Sequence, residues 1–185
     1  MLFRKITAAL AVTLGLAFAL PALVAGPASA AAPAAVRTIY YDASQAQEFK
    51  AAVDEGAAAW NQAVPEIELR PATGGQATIR IYADDGWPYA TPQGFGRGDI
   101  VMGREAVNDG FYPPRIAAHE LGHILGLPDF RNGRCDYLMS GHSSPTSCKS
   151  TTPHATEVEE VRRNAGGGIS AALTRQLQYE DLFRF

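Results

Sequence analysis

The alternation of apolar and polar residues along the chain predicts short strands separated by turns. Four strands are expected, over residues 37–42, 66–70, 77–83 and 99–103. The stretch 84–98 is rich in glycine, proline and aromatic residues, which indicates a long loop leading to an irregular edge strand. Gly94, Gly96 and Gly98 alternate within it, and their lack of side chains suits close approach of another backbone.

Apolar residues at helical spacing predict a long helix over residues 44–64. Its core-facing positions are Phe49, Val53, Ala57 and Trp60. Ser44 followed by Gln47 is typical of a capping box, and Pro65 would end the helix. We therefore expect the helix to begin directly after the first strand and to pack one face against the core.

Two further helices are predicted in the second half of the chain. One covers residues 114–125, with Pro114 in the first helical position and Gly126 at its exit. The other covers residues 154–164, where Thr152 is placed to cap its beginning. Helices and strands of these lengths predict an α+β domain.

Residues 1–30 have the three parts of a secretory signal peptide. Arg4 and Lys5 supply the positive beginning, an apolar run follows, and Ala28-Ser29-Ala30 forms a small-residue cleavage site. The alternative is an uncleaved membrane anchor, although the apolar run is short for a bilayer span. Residues 31–36 form a short Ala/Pro linker.

Removal of the signal peptide leaves 155 residues, enough for one domain with a single core. It also leaves 14 basic and 19 acidic residues, a net charge of −5, which argues against a nucleic-acid-binding protein. The chain has no basic amphipathic stretch suited to a membrane surface. We expect a secreted, extracellular monomer with its domain over residues 37–165 and a tail, either helical or loosely held, over residues 166–185.

Two histidines, a glutamate and an aspartate occur together in the segment AAHELGHILGLPDF. On a helix, His119 and His123 lie one above the other, so both imidazoles can reach one Zn²⁺. Glu120 projects from the same turn, where it can accept a proton from a water polarised by the metal. Gly126 permits a sharp turn of the backbone, which would bring Asp129 back as a third ligand.

Met139 follows in the segment CDYLMSG, where a tight turn would place its side chain beneath the ligand histidines. Simpler interpretations stay open: exposed histidines on a helix, a turn aspartate at position 129, and ordinary core packing for Met139. The two other histidines, His142 and His154, are expected in solvated positions. Cys135 and Cys148 favour a disulfide in a secreted chain over two free thiols.

These motifs resemble those of the snapalysin family, which are small secreted neutral proteases among the metzincin zinc endopeptidases. The residues that match the family's zinc motif are His119, Glu120, His123, Gly126 and Asp129. In this motif an aspartate replaces the third histidine of most metzincins. The similarity extends to the methionine turn and to the spacing of Cys135 and Cys148, and covers about residues 36–163.

The resemblance implies an α+β fold of the zincin type. The expected architecture is a twisted, mixed sheet of four to five strands with two long helices, at about 44–64 and 114–125, and a small C-terminal subdomain with a third helix. It also implies one catalytic zinc ion, Glu120 as the catalytic residue, and structural support from Gly126 and Met139. Protein or peptide substrates are implied, with an aromatic residue favoured just after the scissile bond.

Two positions depart from the family pattern. Arg131 stands where members carry a tyrosine thought to stabilise the oxyanion, so Arg131 is the candidate oxyanion contact, and a plain surface arginine is the simpler interpretation. Tyr112-Pro113-Pro114 stands where some members bind calcium, so no calcium site is expected. Because of the lost tyrosine, one alternative is a catalytically impaired zinc-binding secreted protein. Two further alternatives are a secreted binding module with a structural zinc, and an ester or amide hydrolase.

Overall fold

The structure, a computed structural model, describes residues 35–166 of the chain. The predicted signal peptide, most of the linker and all of the tail except Gly166 lie outside the described residues. Within the described part of the chain, no helix is both long enough and apolar enough to cross a membrane.

Five strands form one mixed sheet. They are β1 (Arg37–Gln45), β2 (Ile67–Pro71), β3 (Ile79–Asp84), β4 (Tyr89–Gly94) and β5 (Arg97–Gly103). Their order across the sheet is β2-β1-β3-β5-β4. Within this order β2, β1, β3 and β5 run parallel to one another, and β4 runs antiparallel to β5 at the edge. The predicted mixed sheet is therefore confirmed, with its antiparallel strand at one edge.

Four α-helices of the described residues 35–166 accompany the sheet. They are α1 (Lys50–Ala63), α2 (Arg104–Asn108), α3 (Pro113–Ile124) and α4 (Ala155–Gly166). Short 3-10 helices cover Gln47–Phe49 and Leu138–Ser143. The α+β fold class is confirmed, and the short helix α2 is an element that the apolar pattern did not predict.

Helices α1 and α3 pack against each other through Gly56 and Trp60 of α1, which both contact Ala118 of α3. A Cβ added to Gly56 of α1 would lie 2.7 Å from the backbone nitrogen of Ala118, so only glycine allows this approach. Trp60 is fully buried and donates its indole N–H to the carbonyl of Ala118 over 2.8 Å. This contact fixes α3, the helix that carries the histidines, against the core.

The predicted beginning of the first helix at Ser44 is wrong. Strand β1 continues through Gln45, which pairs with Tyr82 of β3, and α1 begins only at Lys50. The backbone N–H of Ser44 donates to the Asp42 carboxylate over 2.8 Å. The Asp42 carboxylate thus accepts the Ser44 N–H that Gln47 of the capping box was expected to bind.

The stretch 84–98, expected as a long loop leading to an irregular edge strand, contains the edge strand β4, whose pairing with β5 shifts register between Pro92 and Gly94. Its side chains are mostly exposed, so no alternating pattern marks the strand. Gly96 and Gly98 closely approach other segments, as predicted, whereas a Cβ on Gly94 would meet no atom of the described residues within 4 Å. Gly96 donates its N–H to the carbonyl of Ile124 over 2.9 Å, and a Cβ on Gly98 would lie 2.8 Å from the Ile124 side chain.

Helix α4 is capped by His154, and the prediction of Thr152 as its cap is wrong. The backbone N–H of His154 donates to Glu157 over 2.6 Å, and the His154 ring accepts the N–H of Thr156. A disulfide joins Cys135 and Cys148 ahead of this helix, as predicted. Closing that short loop contributes about 3 kcal/mol in the chain-entropy description.

Candidate active site

Helix α3 carries three of the predicted site residues on adjacent turns. It begins at Pro113, one residue earlier than predicted, and two prolines occupy its first turn, where no N–H partner is needed. His119 and His123 lie four residues apart, and their ring centroids are 4.7 Å from each other. The helix therefore presents both imidazoles on the face where the sequence places them.

Gly126 ends α3 with a left-handed turn. Its φ is +85°, a conformation that residues with a side chain rarely adopt. Gly126 donates its N–H to His123, and Leu127 donates its N–H to Gly122, the paired bonds of a Schellman motif. The chain then reverses direction and returns Asp129 to the histidines, as the spacing predicts.

Three donor atoms meet at this point. The two Nε2 atoms of His119 and His123 lie 3.1 Å apart, and Asp129 Oδ1 lies 3.2 Å and 3.6 Å from them. Ligands about 2.0 Å from a tetrahedral zinc ion are separated by about 3.3 Å from each other. The triangle therefore has the size that a single zinc ion requires, and it is the one group of this kind among the described residues.

The outer nitrogen of each imidazole has a backbone partner. His119 Nδ1 lies 3.0 Å from the carbonyl of Leu138, and His123 Nδ1 lies 2.8 Å from the carbonyl of Leu127. A carbonyl accepts only, so each Nδ1 must carry the proton. Each Nε2 consequently keeps its lone pair free for a metal ion, which is the tautomer that histidine ligands need.

Charges in this cluster shift the pKa values of the candidate ligands. Burial alone would raise the pKa of the Asp129 carboxyl, but the two histidines outweigh it and hold the pKa far below its ordinary range. Burial alone would lower the pKa of His119, but the carboxylates of Asp129 and Glu120 outweigh it and raise that pKa. The aspartate is therefore ionised at neutral pH and can act as an anionic ligand.

Glu120 is buried beside the triangle with one oxygen unused. Its side chain is 4% exposed, and Oε2 makes no hydrogen bond to any described residue. Burial raises the pKa of this carboxyl, although the two histidines partly oppose the shift. An unpartnered buried oxygen is costly, so a partner is expected. A water on a zinc ion held by the three donor atoms would supply one.

Met139 lies beneath the histidine helix. Its side chain is buried, and a Cβ added to Gly122 would lie 2.6 Å from its sulfur atom. Gly122 stands between the two histidines on α3, so the methionine packs directly under the pair. This is the position that the sequence predicts for it.

Replacing Gly122 with alanine should destabilise the protein through this contact. Overpacking of a filled core costs typically 1–3 kcal/mol, which exceeds the helical preference of alanine over glycine, about 0.5–1 kcal/mol. We expect a lower free energy of unfolding in chemical denaturation. Gly75→Ala is the matched control, since a Cβ there meets no atom within 4 Å. Equal stability of the two variants would contradict the packing of Met139 under the helix.

Arg131 contacts the candidate ligand Asp129. Its Nη2 donates to Asp129 Oδ2 over 3.0 Å, while Oδ1 of the same carboxylate faces the histidines. The guanidinium of Arg131 thus forms its hydrogen bond with the carboxylate oxygen that faces away from the histidines. Its expected role as an oxyanion contact stays a prediction.

A cleft runs along the triangle between α3 and the edge strand β4. On one wall, Trp87 stands edge-on to Phe111 and to His142, with ring centroids 6.0 Å and 6.2 Å away. His142 is exposed, as expected, yet belongs to this aromatic wall. The sequence did not single out Trp87 or Phe111, because aromatic residues in a turn-rich stretch are common without a site.

Two buried charges near Met139 were also missed. Arg115 on α3 and Glu157 on α4 are 5% and 6% exposed. Both fall in helical patterns, where charged residues usually face solvent. A signal for Glu157 exists in retrospect, because it lies three residues after His154, at the position of the acidic partner in a capping box.

The described part of the chain matches a known protein family throughout. A family model described as Streptomyces extracellular neutral proteinase (M7) matches residues 35–166. An "Extracellular small neutral protease" of Streptomyces lividans is 36% identical over 147 residues, which are 78% of this chain and 64% of the relative. A protein of the same name from Streptomyces caespitosus is 38% identical over 126 residues, 67% of this chain and 93% of the relative.

A third protein of this name, from Streptomyces coelicolor, is 34% identical over 135 residues, 73% of this chain and 62% of the relative. The chain thus spans slightly less than two thirds of the S. lividans and S. coelicolor proteins and nearly all of the S. caespitosus protein. The resemblance to snapalysins is confirmed, and the chain belongs to the Streptomyces extracellular neutral proteinase (M7) family.

Proposed function

We propose that this protein is a secreted, zinc-dependent endopeptidase. The observation that carries the proposal is the triangle of His119, His123 and Asp129 donor atoms beside the unpartnered oxygen of Glu120. Membership of the family and the names of the relatives, extracellular small neutral proteases, support both secretion and proteolysis. The two histidines and the aspartate hold the ion, and Glu120 is the catalytic base.

Glu120 moves the proton in this mechanism. Zinc, when bound, supplies a Lewis acid that polarises a water molecule and the scissile carbonyl. The Glu120 carboxylate accepts a proton from the attacking water and delivers it to the leaving amine. Burial raises the pKa of this carboxyl, which makes the carboxylate a stronger base toward the attacking water. No other acidic side chain of the described residues lines the cleft besides Asp129, which is occupied as a ligand.

The substrate is proposed to lie extended along β4. This strand is at the edge of the sheet, so its outer backbone groups can pair with an added strand. Its beginning, near Tyr89, adjoins the aromatic wall formed by Trp87 and Phe111. Those rings suit the large aromatic residue that the family resemblance implies just after the scissile bond.

An aspartate ligand in place of a third histidine changes how strongly the reaction depends on its catalytic base, Glu120. The Asp129 carboxylate neutralises more of the zinc charge than an imidazole would, so the ion is a weaker Lewis acid than one held by three histidines. The reaction is therefore expected to depend more strongly on the Glu120 proton relay.

Arg131→Ala should weaken zinc binding by about 10-fold, because partners of metal ligands typically contribute 10- to 100-fold to affinity. Zinc affinity is measured by competition with a chromophoric chelator. Arg134→Ala is the matched control, since Arg134 is a nearby exposed arginine that pairs with Asp136 instead. If Arg131→Ala leaves the zinc affinity unchanged but reduces kcat, Arg131 does not support the ligand Asp129. That result would favour a role for Arg131 in stabilising the oxyanion.

The proposed function is tested by digestion of casein with purified residues 31–185. We expect cleavage that a chelator abolishes and that added zinc restores. A catalytically impaired zinc-binding protein predicts zinc uptake without cleavage. Turnover of small esters without digestion of casein would instead favour an ester hydrolase.

A further inference from the structure

Two buried charges that the proposed mechanism does not use lie beside the methionine turn. Arg115, the third residue of α3, and Glu157, the third residue of α4, are almost fully buried. Buried charges are costly unless they are paired and hydrogen-bonded. Their partners therefore indicate which part of the molecule they hold in place.

Both side chains bind the same peptide group ahead of Met139. Arg115 Nη2 donates to the carbonyl of Tyr137 over 2.6 Å, and the N–H of Leu138 donates to Glu157 Oε2 over 3.1 Å. This carbonyl and this N–H belong to one peptide unit. The plane of that unit is therefore fixed from opposite ends by a buried cation and a buried anion.

The next peptide unit connects Glu157 to a candidate metal ligand. The N–H of Met139 donates to Glu157 Oε1 over 2.7 Å, while the carbonyl of Leu138, at the other end of this peptide, faces His119 Nδ1 over 3.0 Å. Carboxylate, peptide and imidazole thus form one chain of hydrogen bonds. Bonds in such a chain polarise and strengthen one another.

The carboxylate is itself held in place by α4. A third backbone N–H, from His154, donates to Glu157 Oε2 over 2.6 Å at the beginning of the helix. Val161, one turn further on, is fully buried and anchors the same helix in the core. A carboxylate at a helix N-terminus is also favoured by the helix dipole. Glu157 is consequently a fixed point from which the methionine turn can be positioned.

We propose that Glu157 is a positioning residue of the metal centre and acts on His119 through the peptide between Leu138 and Met139. It sets the plane of that peptide, which orients the His119 ring and retains the proton on Nδ1, so that Nε2 faces the ion. The inference rests on the proposed zinc site. It assigns to α4 a part in metal binding beyond packing.

Glu157→Gln tests this role with a side chain of the same size. An amide has one acceptor oxygen and one NH₂ group, whereas the N–H groups of Met139 and Leu138 bind different oxygens of Glu157. In the glutamine variant, the NH₂ group would therefore face one of these two N–H groups. We expect zinc affinity to fall about 10-fold and the visible spectrum of the cobalt-substituted protein to change. Glu159→Gln, at an exposed position of the same helix, is the matched control and should leave both unchanged.

A purely structural role gives a different result. Lower thermal stability of the metal-free Glu157→Gln protein, with the zinc affinity and cobalt spectrum of the wild type, would overturn the inference. If the glutamine variant does not fold, Glu157→Asp, which keeps the charge on a shorter side chain, is measured in the same way. Wild-type protein that binds no zinc would refute the proposed function itself, an outcome distinct from equal binding by wild type and variant.

The wild type also provides a measurement that needs no variant. In protein labelled with ¹³C and ¹⁵N, the inference predicts a slowly exchanging proton on His119 Nδ1 that is coupled across the hydrogen bond to the carbonyl of Leu138. A His119 ring that carries its proton on Nε2 in the zinc-loaded protein would overturn it.

Discussion

Glu120→Gln is expected to reduce casein cleavage by about 10²- to 10⁴-fold, the usual contribution of a positioned general base. Glutamine has nearly the same shape but cannot accept a proton from water or pass it to the leaving amine. The buried, unpartnered Oε2 is the atom that is lost as a base. Zinc content should stay that of the wild type, because Glu120 contributes no donor atom to the metal triangle.

The control for this variant is Glu105→Gln, which changes an exposed glutamate of α2 in the same way. It should retain wild-type kcat/KM. A Glu120→Gln protein that keeps more than about a tenth of the wild-type kcat/KM would be incompatible with a general base at this position. A variant that loses zinc together with activity would place Glu120 among the residues that hold the ion.

Asp129→Ala is expected to weaken zinc binding by more than about 100-fold, beyond the loss typical of residues that only support a ligand. The substitution removes the oxygen that lies 3.2 Å and 3.6 Å from the two Nε2 atoms, and with it the negative charge of the site. Casein cleavage should fall in parallel and should return in part at high zinc concentration. Equilibrium dialysis with zinc analysis measures the first effect.

Asp136→Ala provides the comparison for this variant, since Asp136 is an exposed aspartate of the same connecting segment and pairs with Arg134. Its zinc affinity should match that of the wild type. If Asp129→Ala also bound zinc as the wild type does, the aspartate would be a turn residue, which is the simpler interpretation of the sequence.

The arrangement of the candidate metal site was predictable because each part depends on local geometry. Residues four apart on a helix share a face, and a glycine at the helix end permits the reversal that returns Asp129. Such rules act over a few residues and need no knowledge of the rest of the fold. The same holds for the α+β class, which follows from the periods of the apolar pattern.

Features that depend on distant partners could not be predicted. Strand β4 shows no alternation, because one side of the sheet edge is open to solvent and only its backbone pairing with β5 defines it. Ser44 has the chemistry of a helix cap, but pairing of Gln45 with Tyr82 extends the strand past it. In both places tertiary hydrogen bonds override the local preference.

Charged residues were the hardest to interpret from the sequence. Glu157 stands in a helix of acidic and basic residues, yet its carboxylate is buried against backbone N–H groups of a segment 18 or 19 residues earlier. The sequence left Arg131 either as a candidate oxyanion contact or as a plain surface arginine, and it contacts the carboxylate of the candidate ligand two residues away. The partner of a charged side chain depends on how the whole chain folds. Composition and residue spacing do not show this.

The central claim is that one zinc ion, held by His119, His123 and Asp129, makes this protein an endopeptidase. It is tested most directly by titrating metal-free protein with zinc while the rate of casein cleavage is recorded. We predict a rate that is negligible without zinc, rises linearly and reaches its plateau at one equivalent of zinc per chain. Full cleavage by the metal-free protein, or no cleavage at any zinc ratio, would contradict the account.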